Sequence, residues 1–445
     1  MAAGIGLGIS MGWTAAKKGF STVIQGLFAI LEARSTYFEN ANNSKLSVQE
    51  LETASLLDKA SIILTPTGYN KDAIHNVKPS SGTFGDMTLI QNGTTTRVNE
   101  SGLVASNTTD IPRIDYSKGQ GAILSEVSAV NQIRYSEDFS NALWVTAGVT
   151  RTSSTGTNPR GESATIYAIQ GAAATGGLEA AMASGASGNG VGVSCWVRKK
   201  SGGGTTNVQI GFGDSSSVTT TTVSVGADWQ RITYTSTGYT SANRFYIDAE
   251  GIAADDTIEV WGAQIEKTGT GQVGRVTSYI PTTSASVTRA RDNYLNGGDA
   301  SLIGAQEGVL YIEAAALADS NTSRAIALSA ANSPANRVVI FYSSTSNTIQ
   351  GRVQASTSTT IAINGTVSNP AAFNKIAFKY KSGDLALWIN GTEVVTSSTA
   401  FTFNAALSEL AFDQGNGSIH MEGLVKSVVV FKEALSDAEL TALTS

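Results

Sequence analysis

The stretch 375–395 reads Lys-Ile-Ala-Phe-Lys-Tyr-Lys-Ser-Gly-Asp-Leu-Ala-Leu-Trp-Ile-Asn-Gly-Thr-Glu-Val-Val. Ile376, Phe378 and Tyr380 fall on one side of an extended chain, and Lys375, Ala377 and Lys379 on the other. That period of two marks a strand with one buried face. Ser382-Gly383-Asp384 turns the chain into a second strand, Leu385 to Ile389. Asn390-Gly391 then supplies a tight hairpin turn, because both residues tolerate positive φ, into Glu393-Val394-Val395. Three strands joined by two short turns predict an antiparallel sheet.

Working back along the chain, the same alternation recurs. Val191, Val193, Cys195 and Val197 alternate with Gly192, Ser194, Trp196 and Arg198. Trp229 to Tyr234, Phe245-Tyr246-Ile247 and Ile258 to Trp261 repeat it between Gly/Ser/Thr loops. The sequence therefore predicts a mainly β protein with two antiparallel sandwiches of jelly-roll type. Toward the N-terminus the period changes. Phe20, Val23, Ile24, Leu27, Phe28 and Leu31 recur at steps of three and four, which predicts a helix from about Trp13 to Asn40. Its apolar stripe fits packing on its own chain, or an anchor bundled with copies of itself or held in a socket of another protein. Ser47-Val48-Gln49-Glu50 reads as a capping box opening a second helix, and Ser436-Asp437-Ala438-Glu439 as one opening a terminal helix. Between them, Ile62-Ile63-Leu64 is a short strand, and 84–104 holds brief strands broken at Gly85, Gly102 and Asn92-Gly93, the last suited to a tight hairpin turn. The expected organisation is a helical anchor (1–60), a connector (61–132), and sandwiches over 133–292 and 293–445.

Composition narrows the functions. Among 445 residues only 15% are charged and 41% are hydrophobic, with 46 Gly and 7 Pro. Such a chain builds cores and many short strands rather than disorder. A net charge of −6 argues against sequence-independent binding to nucleic acid. The single cysteine, Cys195, allows no internal disulfide and is expected to act as a small hydrophobe. No apolar run is long enough to span a bilayer. Lys17 and Lys18 follow the first apolar stretch instead of preceding it, so a secretory signal is not expected.

Three phrases carry a family resemblance. Val260-Trp261-Gly262-Ala263-Gln264-Ile265-Glu266, Thr277-Ser278-Tyr279-Ile280-Pro281-Thr282 and Thr288-Arg289-Ala290-Arg291-Asp292 occur in that order. They resemble the end of a carbohydrate-binding-like β-sandwich found in bacteriophage fibre and appendage proteins. Tyr135 to Trp144 is similar to the opening of that module, and Thr96 to Val104 to the connector before it. The stretch 376–394, the final strand within 425–431 and the terminal cap resemble the concanavalin A-like lectin/laminin-G sandwich. The resemblance implies a virion surface protein, assembled in the bacterial cytoplasm as a homotrimer. Its helix would dock to other virion proteins, and its sandwiches would meet host-surface or mucosal glycans.

Sugar binding needs aromatic faces beside polar hydrogen-bonding groups. Trp196 and Trp388 sit opposite the more apolar rows of their strands, and with Trp144 they are the candidate sugar-binding residues. The alternative for each is packing in a second layer or a subunit seam. Trp229 and Trp261 are expected in the core. Catalytic residues are not expected. His75 and His420 lack a patterned partner, and the Glu-x-Asp-x-x-Glu strand of glucanases is missing. Asp255, Asp256 and Glu259 form the nearest acidic cluster, read as a solvated loop edge with a calcium site as a lesser alternative. A purely structural capsid or collar decoration and a glycan depolymerase are the rival functions.

Overall fold

The computed structural model describes residues 20–445 except 81–84, 172–176, 187–188, 201–202, 215–216, 240–241, 249–256, 320–321 and 332. The hairpins at 375–395 form as their residues require. Strand Asn374–Lys381 pairs with Leu385–Ile389, and that strand with Thr392–Ser397. Asn390 (φ 48°) and Gly391 (φ 83°) both take the left-handed conformation that matches strand twist. The sheet continues through Glu307–Ala316 and Gly423–Phe431. A second sheet, ordered Thr360–Thr366, Thr348–Gln354, Arg337–Tyr342, Arg324–Ser329 and Glu409–Ala411, closes the sandwich. Ile376, Phe378, Tyr380, Leu387, Val428 and Val430 meet Ile326, Val338 and Ile340 in the core between the two sheets.

The first of these sheets is apolar on its outer side as well. Val309, Tyr311, Ala377, Trp388, Val429 and Phe431 point away from the sandwich core and are nevertheless buried. Helices cover them. The first helix, Thr22–Arg34, buries Ile24, Phe28 and Leu31; the second, Ala41–Thr53, buries Val48 and Leu51; the terminal helix, Asp437–Thr444, buries Leu440 and Leu443. All seven belong to one apolar layer with the outer sheet face. Three of the six residues expected to mediate anchoring or oligomerisation, Ile24, Phe28 and Leu31, are therefore used within the chain. Phe20 and Leu27 are half-buried, while Val23 is 55% exposed.

The caps divide. Ser436 and Glu439 form the expected capping box. Ser47 does not cap a helix: the second helix begins six residues earlier, at Ala41, after Asn40 in the left-handed conformation. Inside the helix the Ser47 hydroxyl donates to the Asn43 carbonyl (3.3 Å), satisfying itself one turn back. Asn92-Gly93 likewise makes no hairpin. The strands on either side, Met87–Ile90 and Thr95–Val98, pair with other partners, Asn293–Leu295 and Val104–Asn107.

Segment 61–132 was expected to be a connector with short strands. Instead it lends strands to the last sandwich: Ala60–Leu64 and Ala122–Ser125 both pair with Gly423–Phe431. The C-terminal sandwich is thus built from both sides of the chain. The middle sandwich is inserted between them. Its incoming strand Ala129–Asn131 and outgoing strand Val287–Arg289 pair antiparallel as a two-stranded stem. Above the stem, one five-stranded sheet runs Trp144–Ala147, Gly177–Ala186, Ala242–Asp248, Thr206–Gly213 and Val218–Val225. The other runs Val149–Thr157, Ser163–Gly171, Thr257–Thr270, Asn189–Lys199 and Gln230–Tyr239. Val193, Cys195, Val197, Ile210, Phe245, Val260 and Ile265 fill the space between them. Burial pushes the Cys195 thiol well above its usual range, which leaves it an inert core side chain.

Candidate functional site

The phrase around Trp261 owes its form to one glycine. Gly262 (φ 66°) lies in a bulge, where the pairing of 257–270 with 189–199 shifts by one residue. The extra residue keeps Val260, Ala263 and Ile265 inward while Trp261, Gln264 and Glu266 all face outward. A Cβ on Gly262 would stand 3.0 Å from the Trp196 ring and 3.3 Å from that of Tyr279. On this outer face Trp196, Trp261 and Tyr279 pack edge to face or tilted, with centroids 4.9–5.5 Å apart.

Beside the aromatics lies a buried charge network made from the other two phrases and the incoming segment. Glu126 accepts from Arg113 Nη1 (2.8 Å), Ser278 N (2.6 Å) and Ser278 Oγ (2.6 Å), and Arg289 Nη1 stands 3.5 Å away. Asp292 pairs with Arg113 and accepts from Glu126 N (2.9 Å). All four charged side chains are at most 1% exposed. Burial alone would raise the Glu126 carboxyl, but Arg289 and Arg113, helped by Ser278, hold it down at about 2. Burial dominates at Asp292 and at neighbouring Glu266, whose carboxyls are raised. The network locks the stem, and with it the orientation of the inserted sandwich on its host.

Where the two sandwiches and 96–118 meet, a cavity of about 440 Å³ opens. Trp196 and Tyr279 form its floor, at 7% and 2% exposure. Arg231, Thr233 and Thr235 line one wall as alternate residues of strand Gln230–Tyr239. Arg275 and Lys118 line others, and Leu317 and Leu424 add an apolar side from the host sandwich. The Arg231 guanidinium stacks over the Trp196 ring at 4.7 Å and donates to Ser194 Oγ (2.9 Å). Gly192 brings the backbone of 189–199 against the Arg275 carbonyl, where any side chain would overlap it. The two carboxylates lining the cavity are already engaged. Asp115 accepts from Val98 N (2.7 Å) and Ser117 N (2.9 Å), and Glu126 belongs to the network.

The three candidate sugar-binding tryptophans are all buried. Trp144 (3% exposed) donates to the Tyr135 carbonyl (3.0 Å) and packs on Phe139 and Phe245 in the middle core. Trp388 (6%) does lie opposite the core row of its strand, yet that side is roofed by the helices. Trp196 alone reaches a cavity, and there it is floor rather than open platform. Trp261 is buried as expected, though on the outer face and not between the sheets, and Trp229 is half-buried, donating to the Thr157 carbonyl (2.9 Å) under the Arg198 guanidinium.

His75 is buried against Asp86 (3.0 Å), which also holds Arg34 of the first helix, and His420 sits 2.7 Å from Arg291. Asp255 and Asp256 lie outside the described residues, and Glu259 is ion-paired to Arg198 (2.6 Å). Among the described residues no group of three or more His, Cys, Asp or Glu side chains is placed to hold a metal ion. Among them, too, no helix is long and apolar enough to cross a membrane. Sequence reasoning passed over Arg231, Thr233 and Thr235. Their signal was present, a polar row alternating with Ile232 and Tyr234, but it is the ordinary pattern of a solvated strand face.

Residues 312–441 match the family model of the concanavalin A-like lectin/glucanases superfamily. No curated protein matches the chain. Among solved structures, the sialidase carbohydrate-binding module of Ruminococcus gnavus bound to α2,3-sialyllactose is similar at 16% identity. It covers 33% of this chain and 86% of its own, with a TM-score of 0.29. Domain 4 of an extracellular GH43 arabinanase from Geobacillus stearothermophilus, in complex with arabinotriose, is 13% identical. It covers 39% of this chain and 82% of its own, also at 0.29.

Proposed function

We propose that the chain is a glycan-binding component of a bacteriophage virion, a fibre or appendage whose site is the cavity between its two sandwiches. The observation that carries this reading is the chemistry of that cavity: an aromatic floor of Trp196 and Tyr279 beside the donors Arg231, Thr233 and Thr235. A sugar presents hydroxyls to these donors, and the buried rings fix where the donors stand, with Arg231 stacked on Trp196. The lectin-type fold over 312–441 agrees with it. Binding is favoured over hydrolysis because Asp115 and Glu126 are occupied by hydrogen bonds, and Glu126 is held ionised where a general acid needs a raised pKa.

The virion part of the proposal rests on the resemblance of the three phrases to phage appendage proteins, as does a homotrimeric state. Docking would use the side of the first helix that the fold leaves open. Val23 and Ile30 are 55% and 46% exposed there, with half-buried Leu27 between them.

The test has two arms. Full-length protein is incubated with envelope polysaccharide from the phage's host, and released sugar is assayed in the same tube. Retention without release supports the reading; release of sugar overturns the non-catalytic assignment, and absence of retention moves it to a structural decoration. In the second arm, purified virions are analysed by mass spectrometry, with the Val23→Asp variant supplied in place of the native chain. Loss of the variant from virions while it remains folded supports docking through the helix; full incorporation refutes it.

A further inference from the structure

The charges of the cavity are not balanced by the protein. Arg97 is held by both oxygens of Glu39 (3.0 Å each), and Arg275 by Glu422 (3.1 Å). Arg231 and Lys118 also line the cavity, and among the described residues neither has a carboxylate within 4.0 Å. Arg231 is the more telling of the two. Its plane is fixed by the Trp196 ring, one terminal nitrogen is spent on Ser194, and its Nε is buried without an acceptor. Burial pulls its pKa down, against the distant pull of Glu266 and Glu126. A half-buried guanidinium held in a recess without a counter-ion is an arrangement that an anion relieves. A planar fork held at fixed orientation also fits a carboxylate better than a lone hydroxyl. The hydroxyls of Thr233 and Thr235, two and four residues along the same strand face, have no protein partner among the described residues.

We propose that the cavity selects glycans bearing a carboxylate, with Arg231 gripping the acid, Lys118 at the rim attracting it, and Thr233 and Thr235 meeting the sugar hydroxyls. This rests on the glycan-binding reading above and adds the class of sugar. Hexuronate and sialic-type residues share the required chemistry.

The experiment is a binding panel with the full chain: trigalacturonate and its methyl ester, hyaluronan tetrasaccharide, sialyllactose and lactose. Native protein is compared with Arg231→Gln, Arg231→Lys, Lys118→Gln and Thr233→Val, each checked for an unchanged melting temperature. The last two change exposed side chains, so they remain informative if Arg231→Gln does not fold. The expected result is binding confined to acidic members, weakened roughly tenfold or more by Arg231→Gln. Arg231→Lys should restore part of it, and Lys118→Gln or Thr233→Val should weaken it by smaller factors. Equal binding of trigalacturonate and its methyl ester overturns the charge selection and leaves glycan binding standing. Acidic binding unchanged in all four variants overturns the site. Host polysaccharide bound in the earlier assay while no acidic member binds here overturns the carboxylate class alone; binding in neither assay overturns both readings.

Discussion

Replacing Glu126 by Gln tests whether the buried network is what fixes the inserted sandwich to its host. The substitution keeps the shape and removes one charge. In the native protein the carboxylate faces Arg113 and Arg289 and takes two hydrogen bonds from Ser278. Its loss leaves two guanidiniums with Asp292 alone, and breaking such a buried arrangement costs about 3–5 kcal/mol. The pH dependence gives a second magnitude. The Glu126 carboxyl sits at about 2 in the folded chain against 4.5 ordinarily. That difference corresponds to roughly 3 kcal/mol of stability at neutral pH. Because the folded pKa is depressed, this stability is present above about 4.5 and is lost as pH falls toward 2. Raised Asp292 and Glu266 act in the opposite sense, losing stability as pH rises through their folded values. Urea unfolding followed by tryptophan fluorescence is a suitable assay, since Trp196 and Trp261 lie beside the network. The variant should be destabilised by about 3 kcal/mol or more at pH 7, with the gap narrowing steadily toward pH 2 as native Glu126 protonates. A loss under about 1 kcal/mol at pH 7, or a gap that does not change with pH, would refute the reasoning.

Two further substitutions probe the packing. Phe28→Ala removes a ring that is 1% exposed and should cost about 3–5 kcal/mol. Urea unfolding measures the loss, and a change under about 1 kcal/mol would show that the ring is not packed into the buried apolar layer. Gly192→Ala places a methyl on the Arg275 carbonyl, so segment 273–279 must move. Glycan binding should fall with it, while Gly226→Ala, which meets nothing within 4 Å, should leave binding unchanged.

What the sequence disclosed was local. The turn at Asn390-Gly391, the box at Ser436 and the strands at 375–395 each depend on residues a few positions apart and formed as read, although the first two strands bury both faces and not one. Asn92-Gly93 shows the limit of that logic. Its dipeptide suits a hairpin, but Met87–Ile90 finds a partner in Asn293–Leu295, some 200 residues on. The roof over the outer sheet face did leave a trace. Val309 and Tyr311, like Val429 and Phe431, make both rows of their strands apolar, which a half-solvated sheet does not need. Those neighbours favour the alternative reading of Trp388, packing in a second layer, over its candidacy as a sugar-binding residue. The pairing within the charge network was not legible, although two of its phrases stood out, because Arg113 reaches Glu126 across 13 positions and Asp292 across 179. The cavity is hidden for the same reason: its lining comes from many separated stretches between Thr96 and Leu424.

The pairing of Ala129–Asn131 with Val287–Arg289 bears on how the chain folds during synthesis. The host sandwich cannot close until Gly423–Phe431 exists, since that strand joins Ala60–Leu64 and Ala122–Ser125. Left as loose chain, the intervening residues would make this a slow, entropically costly closure. The inserted sandwich contains all its own strands and can fold first, as domains generally do. Its two ends then emerge about 5 Å apart, the spacing of neighbouring strands. From the host's point of view, some 150 residues have become a short loop, and a late, distant pairing has become a near one.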